Sequence, residues 1–286
     1  LRKAKALLAL TRPPNGLMMF LGVLAGHFVS SGRAPEPPSA ALAFLTAYCL
    51  NGSSMAVNDV IDLDVDRVNA PERPLPSGAV VVREALVLAA ALGAVGLWSS
   101  LLLGPVTFAI AVAFYAVALA YNVRLKPLGL LGNAAVSSTV AAPFLFGSAM
   151  ASGSLEAGAT ALALLAGLSN LGREVVKGIA DVEGDRIRGL RTVALSKGER
   201  AAALIGASFV LAAVALSPLP YLLGVLGWAY VPVVLVADAG FVWSSASVIR
   251  DPSPENARRV KNQYLLWMLV ALIAFLLGSL TAPRPG

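Results

Sequence analysis

Nine stretches of this chain are rich in Leu, Val, Ala and Phe and largely free of charge: residues 16–32, 39–60, 85–103, 105–121, 130–151, 157–175, 199–217, 220–249 and 265–280. Each approaches the ~20 residues that cross a bilayer. A backbone in lipid must satisfy its own hydrogen bonds, so each stretch predicts a helix. The pattern is that of an all-α, polytopic membrane protein with about nine transmembrane helices. The first stretch has eight more behind it and lacks a small-residue cleavage site, so it reads as a retained helix and not as a signal peptide. Connections alternate in character. Those at residues 33–38, near Gly104, at 151–156 and at 217–220 are short, whereas 58–84 and 173–200 are long and polar.

Composition agrees with this reading. Hydrophobic residues make up 57% of the 286 positions and charged residues 13%, against roughly 45–50% and 25% in soluble chains. The single cysteine, Cys49, lies in an apolar stretch, which excludes an internal disulfide or a cysteine metal site. A net charge of +6 invites a nucleic-acid reading, but 20 of the 22 Lys and Arg fall on one side of a nine-span topology, leaving Arg33 and Arg284 on the other. That partition is the positive-inside signature, which implies a multi-pass protein of the cell membrane with its long polar connections in the cytoplasm. Nine of the sixteen acidic residues lie inside those two connections and two more, Glu84 and Glu199, at their margins, so chemistry is expected on that side.

The two connections repeat each other. Asp62-Leu63-Asp64-Val65-Asp66-Arg67-Val68 aligns without a gap on Asp181-Val182-Glu183-Gly184-Asp185-Arg186-Ile187, at an offset of 119 residues. The chain therefore reads as one domain, 1–286, of two four-helix pseudo-repeats, about 11–126 and 130–250, with a ninth helix appended. Parallel repeats place equivalent segments on the same side, facing each other across a central cavity. On a helix, Asn58, Asp62 and Asp66 form one polar stripe, and Arg173, Lys177, Asp181 and Asp185 form another. Two unit charges ~6 Å apart repel by ~2.8 kcal/mol at an effective dielectric near 20, so facing acidic stripes call for a cation between them. Oxygen ligands without His or Cys select Mg²⁺, which keeps open positions for phosphate oxygens. With the interleaved Arg67, Arg73, Lys177 and Arg186, the set describes a diphosphate site at the mouth of an apolar cavity. The fitting reaction is loss of diphosphate from a prenyl chain, with a dry pocket protecting the allylic centre. A transporter would need a polar path across the membrane, and the outer halves of these stretches carry almost no charge. His27 reads as a packed residue. Asp238 is an intramembrane carboxylate that stays outside the site set, and Gly22 and Gly26 have the small-xxx-small spacing of close helix packing.

At these residues the chain resembles the UbiA superfamily of intramembrane prenyltransferases. The resemblance is carried by N-D-x-x-D-x-x-x-D from Asn58 to Asp66, its continuation through Arg67-Val68-Asn69-Ala70-Pro71-Glu72-Arg73-Pro74-Leu75-Pro76-Ser77-Gly78, and the second D-x-x-x-D from Asp181 to Asp185. Thr11-Arg12-Pro13-Pro14-Asn15 resembles the lead into the family's first helix, and Tyr121 to Lys126 lies where the family has a Tyr and Lys motif. The resemblance implies nine helices around a laterally open cavity, with Mg²⁺ bridging both motifs to a prenyl diphosphate. It makes Asn58, Asp62, Asp66, Asp181 and Asp185 the catalytic and metal-linked set. Arg67, Arg73, Tyr121, Arg124, Lys126, Arg173 and Lys177 become the substrate-binding set. The segment from Arg173 to Arg186 is most similar to the superfamily's archaeal ether-lipid branch. That implies a geranylgeranyl donor and geranylgeranylglyceryl phosphate as acceptor, with an aromatic acceptor, hydroxybenzoate or naphthoate, as the alternative.

Overall fold

The computed structural model describes residues 2–187 and 189–282; Arg188 and Arg284, both counted in the charge partition, lie outside them. Helices follow one another as α1 (Arg2–Leu10), α2 (Pro13–Ser31), α3 (Pro37–Ile61), α4 (Leu63–Asn69), α5 (Val82–Leu103) and α6 (Pro105–Ala120), which runs into a π-helical turn, Tyr121–Leu125. Then come α7 (Leu130–Ser152), α8 (Ala157–Ala180), α9 (Val182–Ile187), α10 (Val193–Lys197), α11 (Glu199–Leu216), α12 (Leu219–Leu222), α13 (Tyr230–Arg250) and α14 (Pro254–Leu280). No strand occurs among the described residues. Proline in the first turn opens α2, α3, α6 and α14, where its missing N–H costs nothing.

Eight of the nine predicted stretches fall on helices to within a residue or two at their ends, and the one over 220–249 does not. Among the described residues, seven helices are long and apolar enough to cross a membrane, and an eighth if α1 and α2, bent by 44° at Thr11-Arg12, count as one span. The difference from nine is α8: its 24 residues suffice in length, but its last turns carry Arg173, Glu174 and Lys177. The stretch predicted over 220–249 needs correction. Residues 218–229 form the short α12 and a turn with Gly224 at φ 70°, and the long helix starts only at Tyr230. Two prolines, Pro218 and Pro220, and the left-handed glycine stop a helix there. The last helix also begins earlier than residue 265, because Ser253 caps it and Pro254 opens it.

Helices related by the 119-residue offset pack in corresponding pairs: α2 on α3 and α7 on α8, α3 on α5 and α8 on α11. The α2–α7 crossing joins the two sets. It is close because a Cβ on Gly26 would lie 2.1 Å from the Phe144 carbonyl oxygen and one on Gly147 2.1 Å from that of Val23. Leu, Val and Trp side chains, among them Trp98, Trp228 and Trp243, remain exposed around the bundle, as expected of a surface solvated by lipid. Outside these pairs, α14 packs along α8, α13 and α2.

Candidate active site

Both acidic segments sit at a break in a long helix. Asp62 ends α3 at φ −85°, ψ 4°, and Asp181 ends α8 at φ −108°, ψ 11°, in the bridge region where active-site residues often lie. The i→i−4 ladder nevertheless carries through each break: Asp62 N–H donates to Asn58 O (2.9 Å) and Asp66 N–H to Asp62 O (2.8 Å), while Asp181 N–H donates to Lys177 O (3.0 Å) and Asp185 N–H to Asp181 O (2.9 Å). The predicted stripes therefore survive, on kinked and not continuous helices.

Around the first break Asp59, Asp62, Asp64 and Asp66 each have their own cation. Lys126 Nζ donates to both oxygens of Asp62 (2.8 and 2.5 Å), which also accepts from Asn58 Nδ2 at 3.2 Å. Arg73 Nη1 donates to Asp66 at 2.6 Å and Arg12 Nη2 to the buried Asp59 at 2.7 Å. Burial acts to lower the Arg73 pKa, but the hydrogen bond and charge of Asp66, backed by Asp59 and Asp62, outweigh it and raise the guanidinium above its ordinary value. Arg12 is also the one described non-glycine residue with positive φ, 48°. It forms the joint between α1 and α2, and its grip on Asp59 offsets the strain of that conformation.

The second half is arranged differently. Glu174, 8% exposed, accepts from Arg173 Nη1 (2.7 Å) and Lys177 Nζ (3.1 Å). Lys261 of α14 stands 3.5 Å from Asp181. Tyr121 lies between the halves: the charges of Lys177, Glu174, Asp62 and Asp185 all act on its hydroxyl. The π-helical turn that carries Tyr121 is anchored by Asn122, whose Nδ2 donates to Ser54 O at 3.0 Å; such turns recur at functional sites.

Of the predicted residues, Asp62, Lys177 and Asp185 act on Tyr121, Asn58 and Lys126 pair with Asp62, and Arg173 pairs with Glu174, while Asp66 pairs with Arg73 and Asp181 stands against Lys261. Arg67 is engaged with Asp64 on an exposed face (2.8 Å), and Arg124 is exposed; neither is drawn into the cluster. Asp59 is buried, paired with Arg12. The stripe logic passed over Glu174, one residue off the Arg173–Lys177 face, and Lys261, whose charge reads as membrane orientation. Among the described residues no group of three or more His, Cys, Asp or Glu could hold a metal by itself. The oxygen-only donors of the two breaks fit a hard divalent cation shared with a phosphate-bearing ligand.

A cavity of about 410 Å³ rises from this end into the bundle, within the ~300–1,000 Å³ usual for ligand sites. Asn51, Ser54, Asn170, Arg173 and Glu174 line its polar end, and its walls are apolar, with Val23, Phe114, Phe146 and Leu272 among them. Towards the opposite end it meets Tyr230 and Asp238, the latter accepting from Ser217 Oγ at 2.6 Å. His27 is buried, with Nδ1 3.1 Å from Arg33 O.

Two kinked, acid-bearing helices at the polar end of an apolar cavity define an intramembrane enzyme acting on a lipid with an anionic head. The chain belongs to the UbiA prenyltransferase family, whose profile matches residues 19–273, and it is a multi-pass membrane prenyltransferase. It is 37% identical over 280 residues to the digeranylgeranylglyceryl phosphate synthase of Natronomonas pharaonis, covering 98% of this chain and 99% of that one. A solved structure concerned with digeranylgeranylglyceryl phosphate synthase in membranes superimposes with a TM-score of 0.82 at 30% identity, covering 98% of this chain and 99% of that one. A UbiA homologue from Archaeoglobus fulgidus bound to GPP and Mg²⁺ shares the fold, with a TM-score of 0.66 at 17% identity over 95% of this chain and 99% of that one.

Proposed function

We propose that this enzyme moves a geranylgeranyl group from its diphosphate to the free hydroxyl of geranylgeranylglyceryl phosphate, as in archaeal ether-lipid synthesis. The observation that carries the chemistry is the meeting of both kinked acidic segments around Tyr121 at the polar end of an apolar cavity. The acceptor is chosen by full-length likeness to the Natronomonas pharaonis synthase.

In this reading Asn58, Asp62, Asp66, Asp181 and Asp185 hold Mg²⁺, a choice supported by the metal found with GPP in the Archaeoglobus fulgidus homologue. Bound there, Mg²⁺ supplies charge neutralisation to the departing diphosphate. Lys126 and Arg73, paired with Asp62 and Asp66, would supply cations to the diphosphate oxygens. Tyr121, Arg173, Lys177, Arg67 and Arg124 complete the proposed substrate-binding set for the two phosphorylated substrates. The allylic C–O bond to diphosphate breaks, the acceptor oxygen forms the ether bond, and the hydroxyl proton is released. The apolar cavity walls keep water from competing at the allylic carbon. The basic-residue partition supports a cytoplasmic site, and the corresponding helix pairs support one domain of two pseudo-repeats, about 11–126 and 130–250, with α14 added.

The test is to offer the purified protein geranylgeranyl diphosphate with each acceptor separately and to analyse the lipid products by mass spectrometry. A diether phosphate is expected. Prenylation of a hydroxybenzoate or naphthoate ring carbon, with no product from the glyceryl phosphate, would replace this reading by the aromatic one.

A further inference from the structure

The two halves of the site differ in how charge is balanced. Around the first break, Arg12, Arg73 and Lys126 are each committed to one carboxylate at 2.5–2.8 Å. Around the second, Arg173, Lys177 and Lys261 share Glu174 and Asp181, with Asp185 one turn further on. The Lys261 contact, at 3.5 Å, is well beyond the ~2.7–2.9 Å of a good charge-assisted hydrogen bond, so this ammonium retains donors to give. Arg173 Nε is buried and has no hydrogen-bond partner among the described residues, and Arg173 lines the cavity. Buried donors are nearly always satisfied, so an orphan beside a cavity points to a ligand.

The repeat sharpens the contrast. At the 119-residue offset from Arg173, Glu174 and Lys177 stand Ser54, Met55 and Asn58, all uncharged. The cations of the second half are therefore an addition to the shared plan. Lys261 comes from α14, the helix that lies outside the repeat, as does Arg258, whose Nε donates to Ala180 O (3.3 Å) at the end of α8. A prenyl transfer between two phosphorylated lipids must hold two anions apart, and only one of them is the leaving group.

Resting on the function proposed above, we infer that the corner between α8 and the first turns of α14 is the seat of the acceptor's phosphate monoester. Lys261 and Arg173 contact its oxygens, and Glu174 is a positioning residue that fixes Arg173 and Lys177 beside it. The donor's diphosphate occupies the space between the two breaks. The geometry thus gives α14 a role in acceptor choice.

The test compares wild type, Lys261→Met and Lys261→Arg in steady-state kinetics, with geranylgeranylglyceryl phosphate and its unphosphorylated counterpart, geranylgeranylglycerol, as acceptors. Loss of one charge-assisted contact should raise the acceptor KM by about tenfold or more in Lys261→Met, with the donor KM moved far less and Lys261→Arg largely restored. The wild-type preference for the phosphorylated acceptor should shrink by a similar factor. Saturable binding of geranylgeranyl diphosphate by Lys261→Met reports that the variant is folded. Equal changes in donor and acceptor KM, or no change in either, would overturn the assignment while leaving the proposed reaction standing. A wild-type enzyme that does not prenylate geranylgeranylglyceryl phosphate would overturn the reaction first, and this site with it.

Discussion

Asp62 is held from two directions, by both contacts of Lys126 and by the Asn58 amide one turn back, at a backbone break that fixes where its oxygens point. Replacing it by Asn keeps the size and the hydrogen-bonding ends but removes the charge on which a divalent ligand depends. Asp62→Asn, and Asp185→Asn in the other half, should lower turnover of geranylgeranyl diphosphate by at least ~10²-fold, or ~2.7 kcal/mol of barrier. Circular dichroism should show helix content retained. Turnover within tenfold of wild type would remove these carboxylates from the reaction. Not every acid here has that standing. Asp59 and Glu174 are buried and paired with cations, which makes them holders of Arg12, Arg173 and Lys177, and removing either would leave cations in a low-dielectric setting.

At the scale of elements, the site depends on how closely α2 and α7 cross, because these helices bring the two halves together. A Cβ at Gly147 would meet the Val23 carbonyl oxygen at 2.1 Å, and a backbone atom cannot rotate away as a side chain does. Gly147→Val should therefore destabilise the protein by ~1–3 kcal/mol or more, read as a lower Tm in detergent. Gly184→Ala, where a new Cβ meets nothing within 4 Å, should leave Tm equal or slightly higher, since glycine is a poor helix former. Equal behaviour of the two variants would mean that the crossing is looser than drawn. The helices themselves were legible in the sequence because lipid demands long apolar runs, and the small-residue spacing of Gly22 and Gly26 pointed to the α2 face that meets Pro143 and Phe144. Less could be read of the breaks at Asp62 and Asp181, since no proline or glycine marks either position and the acidic stripe continues through both. Glu174 and Lys261 escaped for another reason. A stripe rule selects residues on one helix face, whereas Glu174 acts from beside that face and Lys261 arrives from a helix 80 residues further along the chain.

For the whole molecule, the contacts place the polar connections at one end of the bundle without reference to any membrane. Lys126 reaches Asp62, Arg191 N–H donates to Pro127 O at 3.1 Å, and Lys261 stands against Asp181. The connections after α3, α6, α8 and α13 thus meet in one layer, while Ser152 and Ser154 cap the opposite end beside the start of α8. That this end faces the cytoplasm is a separate proposal, which rests on the placement of 20 of the 22 basic residues on one side of the expected topology, because Lys and Arg resist translocation. Single cysteines in a Cys49→Ala background separate the two claims. Ser77, Ser196 and Ser152 are all exposed, so each should react with a membrane-impermeant thiol reagent from its own side. Cysteines at 77 and 196 should label only in inside-out vesicles, and a cysteine at 152 only in right-side-out vesicles. Reversal of all three would invert the protein and leave the site intact. Labelling of 77 and 196 from opposite faces would separate the two acidic segments across the bilayer, and no shared site could then exist.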